Sequence, residues 1–320
     1  MKIQKEKNGM LTHYEFTDIN KKLITVHGDK FINYRNEWDF CNKNLIPSKK
    51  PLYIVLETNT YCNLKCKMCE KNFYTKDKMD ISQEIIEKIV LECKEFALPS
   101  ILIGAAAESL INPDIKKILS KIKTIGAVDN FVITNGTKLD HSMNEFLIDN
   151  KFERLYVSLD AAKQDTYRKI RGADLEVVEN NIYDFLKTRK KKKSSFPLLR
   201  VSFVKQKENE DEIEAFISKW QDKVDIIDIQ EMCDFSNLDE LEEFPYVKYK
   251  CQAPFTTLSL DCAGNIYPCC TFYRKYLCLG NIKDITLMDA WNSNKIQELR
   301  NSIVKGELCK ACRNCARRNI

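Results

Sequence analysis

The stretch YIVLETNTYCNLKCKMCE, residues 53–70, joins a run of apolar residues to a loop that contains three cysteines. The run YIVLET, residues 53–58, is rich in aliphatic and β-branched residues and predicts a buried β-strand. The loop follows directly and places Cys62, Cys66 and Cys69 in the spacing Cys-x3-Cys-x2-Cys. The sequence therefore predicts a strand that presents three thiols at its carboxyl end.

Three cysteines on one loop are one ligand short of the usual set for an iron–sulfur cluster. A [4Fe–4S] cluster ordinarily takes four cysteine ligands, so three leave one iron open to a substrate or a cofactor. A zinc knot or three unrelated thiols is the alternative. Structural zinc has four protein ligands, commonly from paired Cys-x2-Cys units, and this loop has no histidine nearby. The spacing thus favours a cluster with an open iron.

Five further strand-like runs alternate with segments of helical period as far as about residue 230. They are SILIG (100–104), NFVIT (130–134), RLYVSL (154–159), LLRVSFV (198–204) and DIIDIQ (225–230). Repeated βα units predict parallel strands with right-handed helical crossovers, closing as a segment of a barrel or as an open doubly wound sheet. Both arrangements are α/β folds.

The segment after the first strand has the pattern of an amphipathic helix. Ile81, Ile85, Ile89 and Cys93 recur on one face of it. Asp80 and Gln83 are spaced like a capping box. We therefore expect this helix to begin close to Asp80.

The cysteine spacing and the segments after the later strands resemble the radical SAM superfamily, whose members bind S-adenosylmethionine (SAM). In that family the open iron chelates the amino and carboxylate groups of SAM. An electron from the cluster then splits a sulfur–carbon bond and gives methionine and a 5′-deoxyadenosyl radical. The resemblance implies the same chemistry here, at the carboxyl ends of the strands, where βα barrels have their active sites.

The resemblance also implies which residues contact SAM. Met68 corresponds to an apolar position near the adenine, and Glu108 in GAAAESLINPDI (104–115) to an acceptor for the SAM ammonium group. Ala106 and Ala107 stand where the family has glycines, and alanine lacks the freedom of glycine at positive φ.

Two more SAM contacts follow from the same likeness. The turn Thr134-Asn135-Gly136 resembles the TNG turn of the family, and VSLDAAKQDTYRKIRG (157–172) resembles a segment that binds the SAM carboxylate. In that segment Ser158 and Arg171 are the implied contacts, and a guanidinium suits such a bidentate task.

A second group of cysteines lies near the C-terminus, where eight of the fourteen fall between residues 251 and 315. The segments CQAPFTTLSLDCAGNIYPCC (251–270) and GELCKACRNC (306–315) resemble the SPASM or shorter twitch extension of radical SAM enzymes, which binds auxiliary [4Fe–4S] clusters. The resemblance as a whole implies an α/β fold, a partial (β/α)6 TIM-type barrel with a small C-terminal iron–sulfur domain. It also implies one auxiliary cluster rather than two. The implied ligands are Cys251, Cys269, Cys312 and Cys315.

Other assignments within this group stay open. Cys270 and Cys309 are possible replacements among the ligands, and Cys262 and Cys278 are expected to be packing residues, as buried cysteines often are. Zinc bound by four cysteines is the alternative for this region, because the same ligand set suits both metals.

These patterns divide the chain into three parts. Residues 1–50 form an N-terminal extension, 51–240 the barrel, and 241–320 the auxiliary-cluster domain, with a turn-rich, acidic boundary at 235–246. Four aromatic residues of the extension are expected to pack as a cap on the barrel. They are Phe31, Tyr34, Trp38 and Phe40.

Composition excludes several classes of protein. Of the 320 residues, 44% are hydrophobic and 30% charged, as in ordinary globular proteins. Neither a signal peptide nor a bilayer-length apolar run is present, so we expect a cytoplasmic protein with no membrane partner. In that compartment we expect the fourteen cysteines to bind metal rather than form disulfides. The net charge is only +5, and the run KTRKKKK (187–193) suits a solvated helix end rather than a nucleic-acid patch.

The sequence thus predicts a radical SAM oxidoreductase that abstracts hydrogen from its substrate, with a flavodoxin- or ferredoxin-type reductant. A sugar-like small molecule that undergoes oxidation or dehydrogenation is the favoured substrate, and a ribosomally made peptide or protein is the alternative. A two-cluster electron carrier and a zinc-stabilised nucleic-acid module are alternatives from other classes. No catalytic acid or base is singled out by the sequence.

Overall fold

The computed structural model describes residues 4–8, 11–72, 77–105, 107–232, 250–270, 277–309 and 312–313. The chain begins with a β-hairpin, β1 (Gln4–Asn8) and β2 (Leu11–Glu15), and continues with two helices, α1 (Ile19–His27) and α2 (Asp29–Asn44). The sequence pattern did not predict this hairpin, because its strands lack the apolar run of a buried strand.

Six parallel strands follow and form the centre of the sheet. They are β3 (Tyr53–Leu56), β4 (Ser100–Ile103), β5 (Asp129–Thr134), β6 (Arg154–Ser158), β7 (Leu198–Lys205) and β8 (Ile226–Glu231). They lie side by side in chain order, and each neighbouring pair is parallel. All six predicted strands are confirmed.

Helices connect these strands. They are α3 (Gln83–Glu95), α4 (Ile115–Lys123), α5 (His141–Asp149), α6 (Gln164–Arg171), α7 (Leu175–Lys191) and α8 (Ile213–Trp220). Right-handed crossovers between strands in sequential order place every helix on the same face of the sheet. A doubly wound sheet needs a reversal of strand order, and the order of these six parallel strands has none. The partial barrel is therefore confirmed.

The longest of these helices, α7, has 17 residues and ends within the lysine run. Arg189, Lys190 and Lys191 form its last turn, where cations interact favourably with the helix dipole. Within the described ranges, no helix has the length and apolar character needed to cross a bilayer.

Helix α3 begins later than the capping-box pattern predicts. Its N-cap is Ser82, whose hydroxyl accepts a hydrogen bond from the amide of Ile85 at 3.3 Å. Asp80 instead accepts from the hydroxyl of Tyr61 at 2.7 Å. The capping box at Asp80 and Gln83 is wrong, because a serine two residues beyond Asp80 provides the cap.

The N-terminal hairpin extends the sheet past β8. Strand β2 pairs antiparallel with β8, with His13 opposite Asp228, and β1 pairs with β2. The two strands of the N-terminal extension are therefore part of the same sheet as the barrel.

Helices α1 and α2 close the end of the barrel where the strands begin. Phe31 and Tyr34 are buried there, and Trp38 packs beside them. Their cluster includes buried residues at the starts of four strands, namely Leu52, Val128, Leu198 and Ile226. The packing cap is confirmed for these three aromatic residues and wrong for Phe40, whose 56% exposure places it on the outer side of α2.

The C-terminal region continues the sheet from its other edge. Its elements are β9 (Thr257–Leu260), β10 (Asn265–Tyr267), β11 (Gly280–Asn281), α9 (Leu287–Asn292) and α10 (Asn294–Lys305). Strand β9 lies parallel to β3, with Ser259 opposite Val55. The expected domain boundary at 235–246 lies outside the described residues.

We expect the aromatic cap to contribute strongly to stability. Substituting Phe31→Ala removes a ring that is 1% exposed and should lower the free energy of unfolding by about 3–5 kcal/mol, because it leaves a cavity. Phe40→Ala, on the same helix, should change it by about 0.5 kcal/mol or less. Urea unfolding of both variants measures the difference, and equal effects would contradict the packing described here.

Candidate metal and cofactor centres

The three-cysteine loop leaves the carboxyl end of β3 and is held by hydrogen bonds from two sides. Within the loop, the amide of Cys69 donates to the carbonyl of Cys66 at 3.1 Å. From outside, the amide of Lys67 donates to the carbonyl of Ile170 in α6 at 2.8 Å. The loop is thus fixed against the helix that follows β6.

One side chain from the end of α6 and one from the turn after β5 contact the thiols of this loop. Nη1 of Arg171 lies 3.6 Å from Sγ of Cys66, and Nδ2 of Asn135 lies 3.8 Å from Sγ of Cys62. Burial raises the pKa of the Cys66 thiol, while the charge of Arg171 lowers it. Hydrogen-bond donors beside sulfur suit an anionic iron–sulfur cluster, because the reduction potential of such a cluster depends on hydrogen bonds to its sulfur atoms. The donor set therefore fits a [4Fe–4S] cluster held by three cysteines.

Arg171 is held by a buried ion pair with Asp160. Nη2 of Arg171 donates to Oδ2 of Asp160, and the two side chains are 9% and 0% exposed. Burial lowers the pKa of Arg171, but the charges of Asp160, Cys66 and Tyr167 and the hydrogen bond to Asp160 together outweigh it, and the net shift is upward. Arg171 is therefore a permanent cation beside Cys66.

Asp160 itself is fixed by the strand ends around it. Its Oδ1 accepts from the amide of Val204 at 2.7 Å, and its carbonyl accepts from Nδ2 of Asn209 at 2.7 Å. Its φ of 67° lies in the left-handed region, which aspartate enters more readily than most residues. Sequence reasoning missed Asp160, although an acidic residue directly after a buried strand was a signal for it.

The carboxylate of Glu108 faces the protein rather than the surface. It is 2% exposed and accepts from Oγ1 of Thr134 at 2.8 Å and from the amides of Asn135 at 2.6 Å and Leu110 at 3.1 Å. Burial raises the pKa of Glu108, and the bonds from Asn135, Thr134 and Leu110 oppose that rise. Glu108 thus ties the end of β4 to the TNG turn after β5.

The other predicted SAM contacts lie along the same rim. Asn135 is 6% exposed and also donates to Oδ1 of Asn63 at 2.9 Å. Ser158 is half-buried at the end of β6, two residues before Asp160, and Met68 is half-buried between Cys66 and Cys69. The structure places all five predicted contacts at the carboxyl ends of β3 to β6 or in the elements that follow them. Ala106 lies outside the described residues.

The second group of thiols lies beside the C-terminal helix. Cys251, Cys309 and Cys312 pack against a cluster of Phe255, Leu299, Ile303 and Leu308. The pKa of Cys312 is raised by its hydrogen bond with Cys309, by burial, and by the neighbouring Cys269 and Cys251. The structure thus brings four cysteines together here.

This group differs from the predicted ligand set in one member. It contains Cys309, which the sequence analysis gives only as a possible replacement for one of the four ligands. Cys315, a predicted ligand, lies outside the described residues. Cys270 is exposed. Cys262 is 2% exposed in the main core and Cys278 packs near Tyr267, as expected of packing residues. In the described part of the chain, no three His, Cys, Asp or Glu side chains converge on a single-ion position.

Comparison with known proteins agrees with this geometry. The sequence model of the radical SAM superfamily matches residues 56–219, and that of the SPASM iron–sulfur cluster-binding domain matches residues 251–316. The chain therefore belongs to the radical SAM superfamily, and it carries a SPASM domain at its C-terminal end. Its cofactors are SAM, a SAM-binding [4Fe–4S] cluster and auxiliary iron–sulfur chemistry in the SPASM domain.

Curated relatives act in different reactions. A probable GTP 3′,8-cyclase of Methanothermobacter marburgensis is 34% identical over 122 residues, and a GTP 3′,8-cyclase of Alkaliphilus metalliredigens is 30% identical over 182. These matches cover 38% and 56% of this chain, and only 39% and 54% of the cyclases themselves. A tungsten-containing aldehyde ferredoxin oxidoreductase cofactor-modifying protein of Pyrococcus furiosus is 22% identical over 314 residues, covering 83% of this chain and 88% of its own length.

Solved structures share the fold at low identity. SuiB of Streptococcus suis, bound to SAM, aligns with a TM-score of 0.61 at 18% identity over 84% of this chain and 72% of its own. BtrN, in complex with SAM and 2-DOIA, aligns with a TM-score of 0.54 at 16% identity over 81% of this chain and 91% of its own. These likenesses confirm the fold.

We expect Glu108 to be a structural acceptor as well as part of the rim. Glu108→Gln replaces one carboxylate oxygen with an NH2 group that faces N–H or O–H donors, and it should lower the free energy of unfolding by roughly 1–3 kcal/mol. Glu84→Gln, exposed on α3, is the matched control. Urea unfolding of the metal-free proteins compares them. A variant as stable as the control would show that the three bonds to Glu108 contribute nothing.

Proposed function

We propose that this chain cleaves SAM reductively and uses the resulting radical to oxidise a polar, sugar-like small molecule. The observation that carries the proposal is the contact between Arg171 and Cys66, within a three-cysteine loop at the mouth of a partial barrel. It places a cation where an anionic cluster and the carboxylate of SAM would meet. The bound cluster and SAM supply an electron and a 5′-deoxyadenosyl radical, which abstracts hydrogen from the substrate.

The residues of the rim would orient SAM. The side chain of Arg171 is 9% exposed, and its guanidinium would donate to the SAM carboxylate, beside the hydroxyl of Ser158. Asp160 keeps that guanidinium in place. Asn135 would hold the cluster loop through Cys62, and Met68 would lie against the adenine.

Glu108 retains room for the SAM ammonium group. A carboxylate has about four lone-pair positions, and protein donors fill three on Glu108. One acceptor position therefore remains for an ammonium N–H. In this proposal Glu108 both positions the TNG turn and contacts SAM.

The ligands of one auxiliary cluster in this proposal are Cys251, Cys269, Cys309 and Cys312. Their grouping supports this choice, and Cys315 lies outside the described residues. A cluster with four cysteine ligands has no open iron for substrate. The four thiols would hold a cluster that supplies an acceptor for one electron from the substrate radical, with the proton released to water, and this would give the reaction its oxidative direction. A flavodoxin- or ferredoxin-type protein would supply the electron for SAM cleavage.

The N-terminal region supports a small substrate. Residues 11–44 are part of the barrel, through the pairing of β2 with β8 and the aromatic cap, and so they do not form a separate peptide-binding module. Modification of a peptide is the second candidate. It is favoured by the likeness to SuiB, which has been solved bound to its precursor peptide SuiA.

Anaerobic reconstitution tests the enzyme proposal. The protein should bind about eight irons for two [4Fe–4S] clusters and release 5′-deoxyadenosine from SAM when a strong reductant is present. Cys66→Ala should abolish that release, and Cys262→Ala, at a buried packing position, should retain it. Iron bound without any 5′-deoxyadenosine would instead favour a two-cluster electron carrier, and zinc in place of iron would overturn the proposal.

A second experiment tests the auxiliary ligands. In a background with Cys62, Cys66 and Cys69 all changed to Ala, the protein should retain about four irons. Adding Cys309→Ala should remove most of that iron and its visible absorption, while adding Cys270→Ala, at an exposed thiol, should not. Loss with Cys315→Ala but not with Cys309→Ala would restore the set that the sequence alone implies.

A further inference from the structure

A group of charged side chains lies on the concave face of the sheet, away from the cysteine loops. Nδ1 of His13 in β2 lies 2.6 Å from Oδ1 of Asp228 in β8, and Nη1 of Arg200 in β7 lies 2.9 Å from Oδ2 of the same carboxylate. Tyr14, Ile227 and Val201, which alternate with these residues along their strands, pack in the core under the helices. The three charged side chains, here called the His13 cluster, therefore face the inside of the barrel.

The strand register aligns this cluster with the SAM rim. Ser158 is opposite Ser202, Ser202 is opposite Asp228, and Asp228 is opposite His13. Neighbouring strands lie ~4.8 Å apart, so Asp228 is ~10 Å from Ser158 along this row. A molecule about the size of one sugar ring would span that separation.

Two members of the cluster are accessible and one is buried. The side chains of His13 and Arg200 are 28% and 19% exposed, while Asp228 is 2% exposed. The guanidinium carbon lies 4.0 Å from the centre of the Tyr156 ring, which fixes its plane.

The charges of the cluster balance. Hydrogen bonds to Asp228 and Glu15 raise the pKa of His13 to about 9, so this imidazole is a cation at neutral pH. His13 and Arg200 then face the carboxylates of Asp228 and, at 3.6 Å from Nε2 of His13, Glu15. Two cations and two anions leave no excess charge to attract a phosphate. They do offer donors and acceptors side by side.

We propose that the His13 cluster is the substrate-anchoring subsite, and that it binds the hydroxyl groups of a neutral polyhydroxylated molecule. The inference rests on the proposed function, of which it specifies the substrate class. Arg200 donates to substrate oxygens, and Glu15, whose side chain is 19% exposed, accepts from a hydroxyl, while Asp228 and His13 hold these two side chains in place. A substrate held at β7, β8 and β2 extends along the row toward Ser158 and presents a C–H bond to the SAM side of the barrel.

Binding of defined probes to the anaerobic, SAM-loaded holoenzyme tests this subsite. The probes are four neutral polyols (myo-inositol, scyllo-inositol, glucose and mannose), myo-inositol 1-phosphate, and a hexapeptide of alternating glycine and serine, each titrated by calorimetry. We expect at least one neutral polyol to bind. His13→Gln and Asp228→Asn should each raise its Kd about tenfold, equal to about 1.4 kcal/mol.

The matched control is His141→Gln, which changes a histidine that is 62% exposed on α5 and paired with Asp184; its Kd should equal that of the wild type. Release of 5′-deoxyadenosine in the same samples reports the proposed function separately. The subsite is overturned if 5′-deoxyadenosine is released normally but only the phosphate ester, only the peptide or no probe binds. An unchanged polyol Kd in the His13→Gln variant, where the substituted side chain is partly exposed, also overturns the subsite.

Discussion

The buried ion pair between Asp160 and Arg171 is the interaction on which the rest of the site depends. Two charges out of water are costly unless each is paired and further hydrogen-bonded. Asp160 meets this condition through the amide of Val204, and Arg171 through Asp160 and the sulfur of Cys66. The pair therefore joins the end of β6, the end of β7, helix α6 and the cysteine loop into one unit.

Sequential strand order explains why these groups meet. Because six strands lie side by side in chain order, the segments that follow them all emerge at one rim. Glu108 joins the segment after β4 to the turn after β5, and Asn135 joins that turn to the cysteine loop after β3. These contacts join the ends of β3, β4 and β5, so the rim is a chain of hydrogen bonds around part of the mouth of the barrel.

Much of this arrangement could be predicted from the sequence. The six parallel strands could be predicted because each contributes apolar residues to the core under the helices, and the rim residues lie in the segments that follow them. The hairpin that carries His13 could not be predicted, since its two short strands, QKEKN and LTHYE, contain no such apolar run. The start of α3 was misplaced because Asp80 and Ser82 both suit an N-cap, and only the contact of Asp80 with Tyr61 decides between them. Likewise, the sequence leaves open which of Cys309, Cys312 and Cys315 are ligands, and in the fold Cys309 and Cys312 lie near Cys251 and Cys269.

The pairing of β9 with β3 has a consequence for synthesis of the protein. Val55 and Ser259 are opposite each other although they lie roughly 200 residues apart in the sequence, and contacts of such separation form late. During translation the barrel can assemble while β3 still has one unpaired edge, next to the loop that holds the first set of cysteines. An unpaired strand edge is prone to association with other chains. The C-terminal region therefore covers that edge of the barrel once β9 has been synthesised and pairs with β3.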